Sequence, residues 1–239
     1  MSRVTTANRR TPAARATTGA GRVLAAIGLL LGAGALTACA AGQPQPGAVP
    51  ASPGQELVAF YGDSYTLGTG ATDPSERWST RICTDRDWAE FNPSVNGLGF
   101  VNNRDLLDDD LVPRIVDADP SIVIVTMGLN DNFSMPSRAA DIEAAITDDL
   151  TTFAEKLPDA RLIVVEPFWY TEERPASVDT IIGWVQDAAA QVGADYIPGA
   201  SHWIDGHPDW MAADGIHPND DGYAAIAERM DEELATLGL

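Results

Sequence analysis

From Glu56 onward the chain alternates short unbroken apolar runs with longer stretches of helical spacing. Leu57-Val58-Ala59-Phe60-Tyr61, closed by Gly62, reads as a strand buried on both faces. Ser75 to Trp88 has a helical composition, and Ala89 to Val95 reads as a second strand. Polar turns from Asn102 to Asp105 lead into a short helix over Leu106 to Val116, with Pro113 inside it. Ser121 to Thr126, β-branched and bounded by Pro120 and Gly128, is the clearest strand. Pro136 to Leu157 predicts a long helix that sets Ile142, Ala145, Ile146 and Leu150 on one face. Arg161 to Glu166 is a fourth strand stopped by Pro167, and Ala194 to Ile197 a short fifth. Helices over Val178 to Val192 and Asn219 to Leu237 complete the set. Continuous apolar strands separated by helices predict a mainly parallel five-stranded sheet covered on both faces. With right-handed crossovers this is a three-layer α/β/α sandwich. Ligands of such sheets gather beyond the carboxyl ends of the strands. Residues that carry chemistry are therefore expected directly after strands.

The first 55 residues follow another pattern. Residues 1–38 hold five Arg (Arg3, Arg9, Arg10, Arg15, Arg22) and no acidic residue, and they close on an apolar run from Val23 to Ala38. That is the layout of an export signal. Gly28, Gly32 and Gly34 interrupt the run, which falls short of the roughly 20 residues a spanning helix needs; an uncleaved anchor helix is the alternative. Leu36-Thr37-Ala38-Cys39 resembles the lipobox of bacterial lipoproteins. The resemblance implies cleavage before Cys39, lipidation of its thiol, and attachment to the outer face of a bacterial cell membrane. Arg9-Arg10 suggests twin-arginine export, but Thr11-Pro12 follows where apolar residues are needed, so both export routes stay open. Residues 40–55, rich in Pro, Gly, Ala and Gln, read as a flexible tether. The expected plan is a signal peptide over 1–38, a lipidated Cys and tether over 39–55, and one globular domain over 56–239.

Charge and cysteine content narrow the function. Formal charge is −20, and removal of residues 1–38 leaves 10 basic against 35 acidic residues, or −25. Such a surface repels nucleic acid and anionic lipid heads, and suits a neutral or cationic substrate. With Cys39 lipidated, Cys83 is alone, so no disulfide forms within the domain, and no Cys pair has zinc-ligand spacing. Cys83 reads as a small buried hydrophobe on a helix. The chain is expected to be a monomer.

Four segments fall after strands or in the last loop. Gly62-Asp63-Ser64-Tyr65-Thr66-Leu67-Gly68 follows the first strand; Gly62 is expected to turn the chain sharply and lift Ser64 above the sheet. Val95-Asn96-Gly97-Leu98-Gly99-Phe100 follows the second, where glycine lets a backbone N–H approach a ligand. Gly128-Leu129-Asn130-Asp131 follows the third, and an Asn amide there can donate to an oxyanion. Asp214-Gly215-Ile216-His217-Pro218 precedes the last helix, and its carboxylate can orient the imidazole. Each alone is an ordinary polar turn.

Together, in this order, they resemble the GDSL/SGNH hydrolases, whose four letters are met by Ser64, a glycine of the second block, Asn130 and His217. The resemblance runs from about Leu57 to the last helix, and the glycine block is its loose part. It implies a flavodoxin-like SGNH fold and a serine esterase or lipase that needs no metal or cofactor. The implied roles are Ser64 as nucleophile, His217 as general base and Asp214 as its orienting carboxylate. Ser64, Asn130 and Gly99 supply the oxyanion hole, with Gly97 as the alternative glycine. Asp205-Gly206-His207-Pro208 echoes the last motif, with His202 nearby, but its Asp-to-His spacing is two and no amphipathic helix follows at once. Asp63 and Asp131 are expected to bond loop backbone. Phe168, Trp169 and Tyr170 after the fourth strand, and Trp203 and Trp210 in the last loop, are candidates for an acyl- or sugar-binding wall. Short loops and the lack of a long apolar lid point to small acyl groups, as on O-acetylated polysaccharides or short-chain lipids. A non-catalytic carbohydrate-binding lipoprotein and an acyltransferase are the other readings.

Overall fold

The structure is a computed structural model that describes residues 51–239. The export signal, Cys39 and most of the tether lie outside the described residues. Strands β1 (Leu57–Tyr61), β2 (Ala89–Phe91), β3 (Ile122–Val125), β4 (Arg161–Val165) and β5 (Asp195–Ile197) form one sheet in the order β2-β1-β3-β4-β5. Every pairing is parallel. The helices are α1 (Ser64–Leu67), α2 (Trp78–Asp85), α3 (Leu111–Ala118), α4 (Ala139–Lys156), α5 (Ala176–Val192) and α6 (Asp220–Thr236).

Strand alternation divides the core into two layers. Val58, Phe60, Ile122, Ile124, Ile163 and Val165 face one way and meet Trp78 and Ile82 of α2 with Ile226 and Met230 of α6. Ala59, Tyr61, Val123, Val125 and Val164 face the other way, onto Ile115, Ile146, Leu150 and Val185 of α3 to α5. Both sides are dry, so the strands read as continuous apolar runs rather than alternating ones. The chain leaves β1 toward β2, then reverses to β3 on the other side of β1. That reversal opens a crevice between the carboxyl ends of β1 and β3.

Boundaries moved where a local bond overrode composition. The helix expected from Ser75 is a 3₁₀ turn over Pro74–Glu76, and α2 starts only at Trp78. Between them Arg77 is extended, its guanidinium drawn to Glu90 at 3.2 Å and Thr80 Oγ1 at 2.6 Å. Strand β2 ends at Phe91 rather than Val95, because Pro93 has no N–H to continue the ladder. Helix α3 begins at Leu111 instead of Leu106, where the Asp110 carboxylate accepts the Val112 N–H at 3.1 Å. Pro113 then sits in the first turn, where no intrahelical partner for an N–H exists. Cys83 is buried in α2, and burial raises its thiol pKa far above the usual range.

Candidate active site

Ser64 is the first residue of α1, directly beyond β1. Gly62 is needed for closeness rather than for a turn: its φ is ordinary, but a Cβ there would lie 2.5 Å from the hydroxyl oxygens of Thr66 and Thr126. Those two hydroxyls share a bond of 2.6 Å, which locks α1 to the end of β3. Asp63 caps α1 by accepting the Tyr65 N–H at 3.0 Å. Its other oxygen meets the Asn130 amide nitrogen at 3.2 Å, and that amide also donates to the Leu98 carbonyl at 2.9 Å. Asn130 lies in the 3₁₀ turn Leu129–Ser134 after β3, so the two adjacent strands deliver Ser64 and the Asn130 amide to the same crevice.

The last loop folds over this crevice as a small hairpin closed by a Met211–Pro218 bridge and the Ala212 N–H to the His217 carbonyl at 2.8 Å. Gly70 allows it, since a Cβ there would lie 2.4 Å from the Pro218 carbonyl oxygen. Asn219 ends the loop as the cap of α6. His217 Nε2 stands 2.9 Å from Ser64 Oγ, and Nδ1 stands 2.7 Å from Asp214 Oδ2. Asp214 Oδ1 accepts the backbone N–H groups of Ile216 and His217 at 2.9 and 3.0 Å. The bond to the His217 ring, with those two N–H groups, lowers the Asp214 pKa to about 2, so its carboxylate is charged at every working pH. Tyr65 adds a clamp that the motif did not announce: its hydroxyl donates to the Ile216 carbonyl at 2.6 Å. It is buried, and nothing but adjacency to Ser64 marks it in sequence.

Other expected residues lie elsewhere. The Gly99 N–H, expected in the oxyanion hole, is already donated to the Asn102 carbonyl at 2.9 Å. Gly99 instead makes room for Asp131, whose carboxylate would lie 2.5 Å from a Cβ. That carboxylate accepts the N–H groups of Phe100, Val101 and Asn102, from 2.7 to 3.1 Å. Asp63 and Asp131 thus bond loop backbone. Gly97 turns the same loop with φ +71°, and its carbonyl accepts from Asn102 and Asn103. The echo motif does not form its own Asp–His pair: Asp205 bonds His202 at 2.5 Å, while His207 stacks on Trp210. The aromatic wall is largely packing. Phe168 and Trp169 are buried, Phe168 stacks on Tyr65, and Trp203 and Trp210 rest half-buried against the core.

Asp63 makes a measurable prediction. Burial, with Asp131 adding repulsion against the pull of the Tyr65 N–H, raises its pKa to about 7. A carboxyl raised in the folded state binds more protons folded than unfolded between its ordinary pKa of 3.8 and about 7. Its contribution to stability is therefore fully present below the lower value and is lost as pH rises to the upper one. Asp63→Asn keeps the cap but removes the titration. Urea unfolding from pH 4 to 8 is expected to show wild-type stability falling by a few kcal/mol more than that of the variant.

The GDSL-like Lipase/Acylhydrolase family model matches residues 60–225, more than half of the chain. The chain belongs to this family. As a member it is a carboxylic ester hydrolase, and the matched span holds every site residue described above. A GDSL lipase of Mycobacterium tuberculosis is 28% identical over 184 residues, covering 72% of this chain and 79% of that protein. The psychrotrophic esterase EstA from Pseudoalteromonas sp. superposes with a TM-score of 0.60 at 16% identity, over 77% of this chain and 98% of that one. A family two carbohydrate esterase from Cellvibrio japonicus gives 0.61 at 17% identity, over 76% of this chain and 61% of that one. These two likenesses speak for the fold.

Proposed function

We propose that this family member hydrolyses short-chain or O-acetyl esters through an acyl-enzyme on Ser64. The observation that carries the reading is the continuous relay from Asp214 through His217 to Ser64 Oγ, at 2.7 and 2.9 Å. Ser64 Oγ attacks the ester carbonyl carbon while His217 Nε2 takes the hydroxyl proton, a step worth roughly 10²–10⁴ in rate. The Ser64 N–H, at the open start of α1, meets the developing oxyanion, and the Asn130 amide, whose two hydrogens go to Asp63 and the Leu98 carbonyl in this structure, joins it by exchanging one of those bonds. As the intermediate collapses, the C–O bond to the alcohol breaks and His217 returns the proton to the departing oxygen. Water then attacks the acyl-enzyme, gives its proton to His217, and the acid leaves as Ser64 is reprotonated. Asp214 holds the ring with its Nδ1 protonated, so that Nε2 is free to accept.

Substrate size is read from the rim. Phe133, one turn beyond Asn130, and Ile216, next to His217, are 63% and 43% exposed. They offer brief apolar contact to a short acyl chain. The carbohydrate esterase among the structural neighbours makes acetylated glycans a substrate to try first. We further propose that residues 1–38 are removed and that a lipid on Cys39 and the tether hold the domain outside the cell membrane; mass spectrometry of the mature N-terminus tests this. On p-nitrophenyl esters from acetyl to palmitoyl, kcat/KM is expected to be highest for acetyl or butyryl. A maximum at palmitoyl would overturn the short-chain reading.

A further inference from the structure

The last loop carries a second feature that the relay does not use. Between residues 198–210 and α6 lies a cavity of about 530 Å³, lined by no residue of the relay. This is within the size range of small-ligand clefts. Its two walls differ in character. Trp203, Trp210 and His202 form one, while Ala225, Glu228, Arg229 and Glu232, a single stripe of α6, form the other. The indoles are held in place, Trp210 by His207 flat against it at 3.5 Å and Trp203 by the edge of Phe168 at 5.9 Å.

The charges around the cavity are mostly matched. Arg229 pairs with Glu232 at 2.9 Å and with Glu233 at 3.0 Å, and His202 with Asp205 at 2.5 Å. Glu228 is exposed and bonds to no other described residue, which leaves its two oxygens as acceptors. With Arg229 paired to two carboxylates and Glu228 left over, the wall is net negative and disfavours an anion. A ligand with a flat C–H face for indole and hydroxyls for carboxylate and guanidinium satisfies both walls. Neutral sugar rings have that shape.

We infer that this cavity is a carbohydrate-binding site, which holds neutral sugar rings of the polymer whose acyl groups the relay removes. The inference rests on the esterase reading above for its purpose, though not for its chemistry. Ring contacts join the two places: Trp203 to Phe168 at 5.9 Å, Phe168 to Tyr65 at 5.5 Å, and Tyr65 to His217 at 6.0 Å. A glycan held here is thus gripped by the same loop that presents His217.

The test is titration of the full chain with unesterified xylohexaose and cellohexaose, followed by tryptophan fluorescence and calorimetry. Saturable binding of at least one is expected. Glu228→Ala, an exposed change that cannot disturb the core, should weaken it about fivefold through one lost hydrogen bond. Trp203→Ala should weaken it by about tenfold or more. No saturable binding, equal affinity in both variants, or binding of tetramethylammonium in place of the saccharides would each overturn the site. Hydrolysis of p-nitrophenyl acetate by the same preparation separates the two readings: turnover without saccharide binding defeats this site alone. Saccharide binding without turnover supports the site and defeats the esterase reading.

Discussion

Ser64→Ala is expected to lower kcat on p-nitrophenyl acetate by on the order of 10⁶, leaving only the residual rate that oxyanion donors and binding provide. His217→Ala should fall about as far, and the double variant no further than either single one. The reason is geometric. Ser64 Oγ gives its proton to Nε2 across a single 2.9 Å contact, so removing either end removes the whole step. Neither change should unfold the protein. Ser64 makes its helix contacts through backbone atoms, and the His217 loop keeps its hairpin bonds and the Tyr65 clamp. Circular dichroism and thermal melting of the three variants check that. A single variant retaining a tenth of wild-type kcat would remove Ser64 and His217 from the reaction as assigned.

Asp214→Asn is expected to cost about 10³–10⁴ in kcat with little change in KM, and to be worse than Asp214→Ala. The order follows from the two backbone N–H groups that reach Oδ1 at 2.9 and 3.0 Å. An asparagine must turn its carbonyl oxygen toward those donors, which points its NH₂ at His217 Nδ1. Donation to Nδ1 selects the tautomer with the proton on Nε2, and Nε2 can then no longer accept from Ser64. Alanine leaves Nδ1 to water, which can play either part, because Asp214 is exposed. Steady-state kinetics on the two variants decide the matter. Equal activity of Asn and Ala would mean that the backbone donors do not fix the amide.

The aromatic residues show where motif reading and structure part. Phe168, Trp169, Trp203 and Trp210 follow a strand or precede His217, and chain position alone makes them a wall for substrate. Their burial reassigns them: Phe168 fills the space beneath Tyr65, and the two loop tryptophans face α6 rather than the relay. Gly99 shows the same gap at the level of one bond. A glycine in that block is legible, but whether its N–H is free depends on a partner three residues away, Asn102. Its lack of a side chain answers to Asp131, more than thirty residues further on.

By itself the sequence determined what local physics controls. Apolar runs of strand length made the parallel sheet, because a strand covered on both faces has no polar side to show. The placement of Ser64 and Asn130 directly after such runs put both beyond strand ends. Asp214, three residues before His217, could close its own turn without help from the rest of the chain. Tertiary structure decided everything that needed two distant segments at a common place. It chose the order in which the chain reverses at β1, which sets Ser64 beside Asn130. It also brought His217 Nε2 to 2.9 Å from a serine 153 residues earlier. Spacing along the chain has no power over such a distance. It is set by how two core layers pack and by glycines such as Gly62 and Gly70, where a Cβ would collide with threonine hydroxyls or a backbone oxygen.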